Sequence, residues 1–183
     1  AAGGAAGGAF GAIARYAGSG FDAATATSPA AAKVTLSREE LEPDHGDRWE
    51  AVSDVLRGRP ADSPEAIMRA RYTAVKYKDI NLLAATEVEE GTTQRNRAQG
   101  WAVTLGLQTQ EKGFFDSLFS KGEQDIESLK DVEGFEVVDA KADWVEFKIR
   151  CRNGKTLHEK STFTRNDKWG FVYAGESEFG EWS

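Results

Sequence analysis

The apolar positions of this chain change their period twice. From Ser63 the spacing is helical: Ile67, Met68, Tyr72 and Val75 recur at three- and four-residue steps, with Arg69, Lys76 and Lys78 outside the stripe. This is the pattern of a helix that buries one side. Ser63 followed by Pro64 marks its start, because a proline at the first helical position gives up only an amide that has no partner there. A second, shorter helix follows from Asp79, carrying Ile80, Leu82 and Leu83. Beyond Gly134 the period becomes two, and residues 135–140, 144–152, 156–165 and 169–174 predict strands. Asn153-Gly154 joins the middle pair as a hairpin. A type I′ turn there would pair Arg152 with Lys155, and so Ile149 with His158 and Lys148 with Glu159. Helices first and an antiparallel meander afterwards define an α+β layer fold, with N-terminal helices packed on a curved sheet.

The remaining segments are read from composition. Residues 1–33 are an Ala/Gly-rich stretch whose only large apolar side chains are Phe10, Ile13, Tyr16 and Phe21. It cannot bury enough surface to offset its ordering entropy, so an extended arm that takes its order from partner surfaces is expected. Residues 34–62 form a charged connector in which Ser37 and Glu40 match a capping box, and Asp47 precedes a short amphipathic helix with Trp49, Val52, Val55 and Leu56. Residues 63–183 are the globular α+β domain. Between Thr92 and Lys130 helix is favoured for much of the segment, although Trp101, Val103, Leu105 and Leu107 alternate as a strand would; Phe114, Phe115, Leu118 and Phe119 form an apolar cluster. Trp144 and Trp169 are expected in the core.

Charge and cysteine usage remove several classes of function. A net charge of -7 and a pI near 5.0 argue against a surface that tracks nucleic-acid phosphates. Arg69, Arg71, Lys76 and Lys78 are close together, but their helical spacing reads as a solvated face. One cysteine, Cys151, permits no internal disulfide and no zinc site built on paired cysteines. No apolar run approaches the roughly 20 residues needed to span a bilayer, so the chain is soluble or peripheral to a membrane. The first residue is not Met, and Arg15 is the only charge among the first 21 residues. That composition resembles the surroundings of an organelle-targeting cleavage point, and a chain trimmed at a convenient residue would read the same way.

His158 is the best single candidate for chemistry, since the counted register brings it near Phe147 and Cys151, and a histidine can take a proton from a thiol. With Tyr72 and Ile149 these residues make a candidate pocket between sheet and helices. No third residue is identifiable to orient the histidine, and a structural role for it is favoured. His45 lies among Glu42, Asp44 and Asp47, which reads as a solvated acidic turn because EF-hand spacing is absent. No Gly-x-Ser-x-Gly, Walker or Rossmann pattern occurs, and no metal or cofactor site is expected.

Two blocks resemble a known family. SPEAIMRARYTAVKYKDINLLAAT, residues 63–86, is similar to the YchJ pattern of a Met-Arg-x-Arg-Tyr helix followed by a short apolar helix. WVEFKIRCRNGKTLHEKSTFTRNDKWGFVYAGE, residues 144–176, resembles its Val-Glu-Phe strand, its His-Glu-x-Ser-x-Phe strand and its final tryptophan strand. The resemblance implies a cone-shaped domain like nuclear transport factor 2, and no reaction or catalytic residue. Bacterial relatives often carry cysteine-rich zinc knuckles; this chain has none, so zinc binding does not carry over. The stretch around residues 113–131 looks longer than the family usually has, and the arm has no counterpart in it.

From these observations the expected function is a non-catalytic scaffold or linker subunit of a larger organellar assembly, with an algal chloroplast photosystem and its antenna proteins as the first instance. Its partners would be other proteins, met through Phe10, Ile13, Tyr16 and Phe21 of the arm. The alternative is a small-molecule-binding or enzymatic domain that uses the pocket.

Overall fold

The structure, a computed structural model, describes residues 35–88, 91–108 and 125–183. Among the described residues, five helices precede four strands. The helix Arg38–His45 (α1) starts with the expected capping box, in which the Ser37 amide donates to the Glu40 carboxylate at 2.8 Å. A 3-10 turn, Gly46–Arg48, leads into Trp49–Leu56 (α2), which buries Val52 and Val55. Pro64–Tyr77 (α3) begins where the sequence predicts, with Ser63 Oγ accepting from the Ala66 amide, and ends at Lys78 in the left-handed region (φ 60°). Asp79 caps Ile80–Ala85 (α4) by accepting from the Leu82 amide at 3.0 Å. Thr93 does the same for Gln94–Thr104 (α5). Of the ambiguous segment, Gln94–Thr104 is helix, with Trp101 and Leu105 buried one helical turn apart, and residues 109–124 lie outside the described residues. Phe10, Ile13, Tyr16 and Phe21 of the arm, and the cluster Phe114, Phe115, Leu118 and Phe119, lie outside the described residues.

After a 3-10 turn, Glu127–Lys130, the chain forms Val132–Ala140 (β1), Trp144–Cys151 (β2), Thr156–Asn166 (β3) and Gly170–Trp182 (β4). They make one antiparallel sheet in the order β1-β2-β3-β4. α3 packs across β1, β2 and β4, and α1 and α2 pack beside it against β1 and α3. The core lies between α3 and the helix-facing row of the sheet, where Val145, Phe147, Ile149 and Cys151 meet Ile67, Met68, Tyr72 and Val75.

The hairpin register differs from the expected one by a single residue. Lys148 pairs with His158, Phe147 with Glu159 and Ile149 with Leu157. A type I′ turn needs a positive φ at Asn153, and among the described residues Lys78 alone of the non-glycines has one. The Gly154 amide instead donates to the Cys151 carbonyl at 2.9 Å, and the Cys151 amide to the Lys155 carbonyl at 2.8 Å. With Gly154 at φ 87°, this is a three-residue turn closed by a glycine bulge. Asn153 holds it by donating to Ser128 Oγ and accepting from the Lys155 amide. Because side chains alternate with period two, the slip turns all of β3 over. Leu157, Glu159, Ser161 and Phe163 face the helices, and His158 does not.

The tryptophans also depart from expectation. Trp144 is half-buried on the far side of the sheet, with Lys160 Nζ 4.2 Å from its ring centroid. Trp169 is half-buried against the edge of the core. Trp101 is the fully enclosed indole. Trp101→Ala should therefore cost about 3–5 kcal/mol, and Trp144→Ala about 1 kcal/mol, because only part of its ring leaves water. Urea melts of the two variants check this.

Gly170 opens β4 at φ 74°, and a Cβ there would run into the backbone of Ala61, whose amide donates to the Trp169 carbonyl at 2.8 Å. Gly154 has a similar φ with open space around it. Gly154→Ala should lose about 1 kcal/mol from backbone strain alone. Gly170→Ala should lose clearly more, about 2–3 kcal/mol, because the Ala61 loop must also move; thermal denaturation of the pair measures the difference.

Candidate functional site: two polar clusters between helices and sheet

Four residues of the candidate pocket come together on the helix-facing side of the sheet. Tyr72, Phe147, Ile149 and Cys151 are all buried there. His158 is not with them. Its Nε2 lies 2.8 Å from Glu146 Oε1, and its ring meets Phe179 edge-on at 5.0 Å, on the opposite side of the sheet. No Cys151–His158 pair forms. Burial, with Glu133 and Asp131 near, pushes the Cys151 thiol up to about 11, so at neutral pH it is a thiol and a poor nucleophile.

The histidine that does reach the interior is His45, at the end of α1. It is 4% exposed, not solvated as its acidic neighbours suggest. Its ring lies edge-on to Tyr72 at 6.0 Å and to Phe135 at 6.3 Å, and Tyr72 stacks on Phe135 at 4.7 Å. Phe135 in turn carries the Arg69 guanidinium 5.7 Å from its ring centroid. His45 Nε2 lies 2.7 Å from Thr73 Oγ1, and Thr73 Oγ1 donates to the Arg69 carbonyl at 3.1 Å. At the rim, Lys76 pairs with Asp44 and Arg69 with Glu65. Burial, reinforced by the charges of Arg69 and Lys76, pushes the imidazole down to about 3. The Tyr72 phenol is pushed up, by burial first and by Asp44 second. His45 Nδ1 is buried without a hydrogen-bond partner among the described residues, an arrangement that costs about 1–3 kcal/mol.

A second cluster lies deeper, around Arg71. This residue falls in the buried stripe of α3, one turn after Ile67 and one before Val75, and its side chain is fully enclosed. Nη1 donates to the carbonyls of Leu83 (2.8 Å) and Thr86 (3.1 Å) and to Thr86 Oγ1 (2.7 Å), while Nη2 meets Glu87 Oε1 at 2.7 Å. Trp101 Nε1 donates to the same carboxylate oxygen at 2.6 Å. Arg97 caps the end of α4 by donating twice to the Ala84 carbonyl, with Nε 3.7 Å from Glu87 Oε2. The Arg71 guanidinium also lies 5.4 Å from the centre of the Tyr173 ring.

Beyond Tyr173 the network continues through hydroxyls. Tyr173 Oη lies 3.2 Å from Ser177 Oγ, and Ser177 and Ser161 both donate to Glu159 Oε1 at 2.6 Å. Burial and the Glu159 charge push the Tyr173 phenol up. Two arginines and two glutamates thus share the interior with balanced charge, each hydrogen-bonded, which is the condition under which buried ions are tolerated. Sequence reasoning missed Arg71, Glu159 and His45. Arg71 was legible from its place in the stripe, and Glu159 from the alternation Leu157, Glu159, Ser161, Phe163.

Among the described residues no three His, Cys, Asp or Glu side chains are placed to hold a metal ion, and no helix is long and apolar enough to cross a membrane. Helices packed on a four-stranded antiparallel meander, with α3 against its inner row, make this an α+β domain of the nuclear transport factor 2-like class. The family model of the YchJ middle domain, described as NTF2-like, matches residues 63–174; the chain belongs to this family. No curated protein and no solved structure matches the chain. The matched span holds Arg71, Glu87, Arg97, Trp101, Glu159, Ser161 and Tyr173, whereas His45 and Asp44 precede it.

Glu87→Gln should destabilise the fold by about 3–5 kcal/mol, because it leaves the Arg71 charge uncompensated. Arg71→Met combined with Glu87→Gln should cost less than the sum of the two single changes, and chemical denaturation of the four proteins gives the coupling directly. The His45 imidazole predicts a pH dependence. Its folded pKa lies below the ordinary value of 6.5, so the unfolded chain takes up the proton first. The contribution is complete above about pH 6.5 and is lost as pH falls toward 3, at about 1.4 kcal/mol per unit. Urea melts at pH 7.5 and 5.5 should show that loss in the parent chain and a flatter dependence in His45→Leu.

Proposed function

We propose that this chain is a non-catalytic scaffold subunit of a larger protein assembly, its family domain serving as a rigid block and residues 1–33 as the part that lies along partner proteins. The observation that carries the reading is where the ionisable groups of the domain interior are used. Arg71, Arg97, Glu87 and Glu159 are tied to backbone carbonyls, hydroxyls and one another. The one thiol is buried and protonated, and His158 and Tyr72 stand on opposite sides of the sheet. The pocket reading, a small-molecule-binding or enzymatic domain, needs a closed pocket with His158 or Tyr72 exposed inside it, and Tyr72 is fully buried.

The organellar part of the proposal, an algal chloroplast assembly such as a photosystem with its antenna proteins, draws its support from composition alone. Small side chains let a backbone lie close against neighbouring surfaces, and Phe10, Ile13, Tyr16 and Phe21 are spaced as sparse anchors for pockets on a partner. Truncation to a chain starting at Lys33 should leave the fold intact and abolish co-purification with the assembly, while His158→Ala should leave both unchanged. Retained binding by the truncated chain, together with loss of an activity of the complex in His158→Ala, would reverse the assignment. Co-fractionation of the intact chain with photosystem particles tests the compartment separately.

A further inference from the structure

Asparagine followed by glycine occurs once in the chain, at Asn153-Gly154. Asparagine is among the thermolabile residues, because the amide nitrogen of the next residue can attack its side-chain carbonyl carbon. Glycine obstructs that attack least, since it has no Cβ. Here both residues are exposed, and no atom lies within 4 Å of where a Cβ on Gly154 would stand. Three hydrogen bonds nevertheless occupy the reacting groups. Asn153 Nδ2 donates to Ser128 Oγ at 2.9 Å, and Asn153 Oδ1 accepts from the Lys155 amide at 3.1 Å. The Gly154 amide, whose nitrogen is the nucleophile, donates to the Cys151 carbonyl at 2.9 Å. That nitrogen cannot lose its proton and reach Cγ without giving up the Cys151 carbonyl, and rotation of the carboxamide toward it breaks the bond to Ser128.

We propose that Asn153 is a deamidation site whose rate in the folded chain is set by opening of this turn, and whose isoaspartyl product no longer closes it. In the reaction the Gly154 nitrogen bonds to Asn153 Cγ, the Cγ–Nδ2 bond breaks, and ammonia leaves with the proton that the Gly154 nitrogen gives up. Water then opens the cyclic imide at either carbonyl; no oxidant or reductant takes part. Opening at one carbonyl leaves an ordinary backbone with an aspartate. Opening at the other runs the backbone through the former side chain, which adds a methylene to the connection and leaves the carboxylate on Cα. The two products differ at this turn. An aspartate keeps an oxygen to accept from the Lys155 amide, and the Ser128 hydroxyl can reverse its role and donate to it. In an isoaspartate the group that made both bonds has become main chain. The lengthened connection then no longer fits the pair of bonds, Gly154 to Cys151 and Cys151 to Lys155, that closes a three-residue turn. The modification thus falls on the turn that fixes which side of β3 meets the helices, and it is independent of the scaffold reading.

Peptide mass spectrometry of the intact chain, aged in mildly alkaline buffer with and without urea, counts the exchange of amide for acid, and chromatography separates the aspartyl from the isoaspartyl peptide. Asn153 should convert more slowly in the native chain than in urea, and faster than Asn81, Asn96 and Asn166. Ser128→Ala should raise the native rate about 2- to 10-fold, the loss of one hydrogen bond, and leave the rate in urea unchanged. Ser128→Thr, which keeps the hydroxyl, should match the parent chain. Hydrogen exchange at the Cys151 and Gly154 amides should be faster in isoaspartyl chains and close to that of the parent in Asn153→Asp. Equal rates with and without urea, an Asn153 that stays amidated in the native chain while urea converts it, a Ser128→Ala rate like that of the parent, or unaltered exchange in isoaspartyl chains would overturn the proposal.

Discussion

The enclosed Arg71 guanidinium is the interaction on which the rest of the domain depends. It reaches from the middle of α3 to the carbonyls that end α4 and to the Glu87 carboxylate. Those contacts hold the segment after α4 in an extended path beside β4, where the Tyr173 amide donates to the Thr86 carbonyl and the Val88 amide to the Tyr173 carbonyl, both at 2.9 Å. The outer edge of β4 is thereby paired at Tyr173 by the chain itself, which blunts at that point the pairing that a bare edge invites. Trp101 reaches the same carboxylate from α5, so three helices and an edge strand meet at one charged pair. An arrangement of this kind ties helix positions to sheet register, because none of the carbonyls can move without stranding an ion in a medium that solvates it poorly.

The second constraint is the turn at Asn153-Gly154. Two-residue and three-residue turns use nearly the same residues, yet they differ in which side of a strand meets the core. Here the shorter turn would have placed His158 beside Cys151 and left Glu159 on the far side. The longer turn exchanges them, giving the interior a carboxylate with two serine donors in place of a base beside a thiol. The character of the domain as a binding or reactive body thus changes with one residue of register.

This explains how much was legible in advance. Element order, the caps at Ser63 and Asp79, the capping box at Ser37 and the antiparallel meander follow from local chemistry, and local chemistry is written in consecutive residues. The burial of Arg71 and His45 does not, since each is enclosed by groups distant in sequence: Arg71 by Glu87 and Trp101, His45 by Thr73 and Phe135. Charged residues are enclosed only when partners are waiting, and a single sequence does not say where they wait. Trp144 misleads for the complementary reason. Its ring is large enough to read as core, but it lies on the far side of the sheet under Lys160, where a cation over an aromatic face serves as its cover.

Cys151 is the one sulfhydryl of the chain, and it sits at the end of β2 with its side chain 1% exposed against the helices. A thiol so placed cannot meet a modifying reagent until β2 and α3 separate. Its labelling rate is therefore a native clock for the parting of helix layer and sheet, carried by the unaltered chain. Because the β2–β3 turn hydrogen-bonds through the Cys151 backbone, the same clock also registers loosening of the turn that sets the direction of β3.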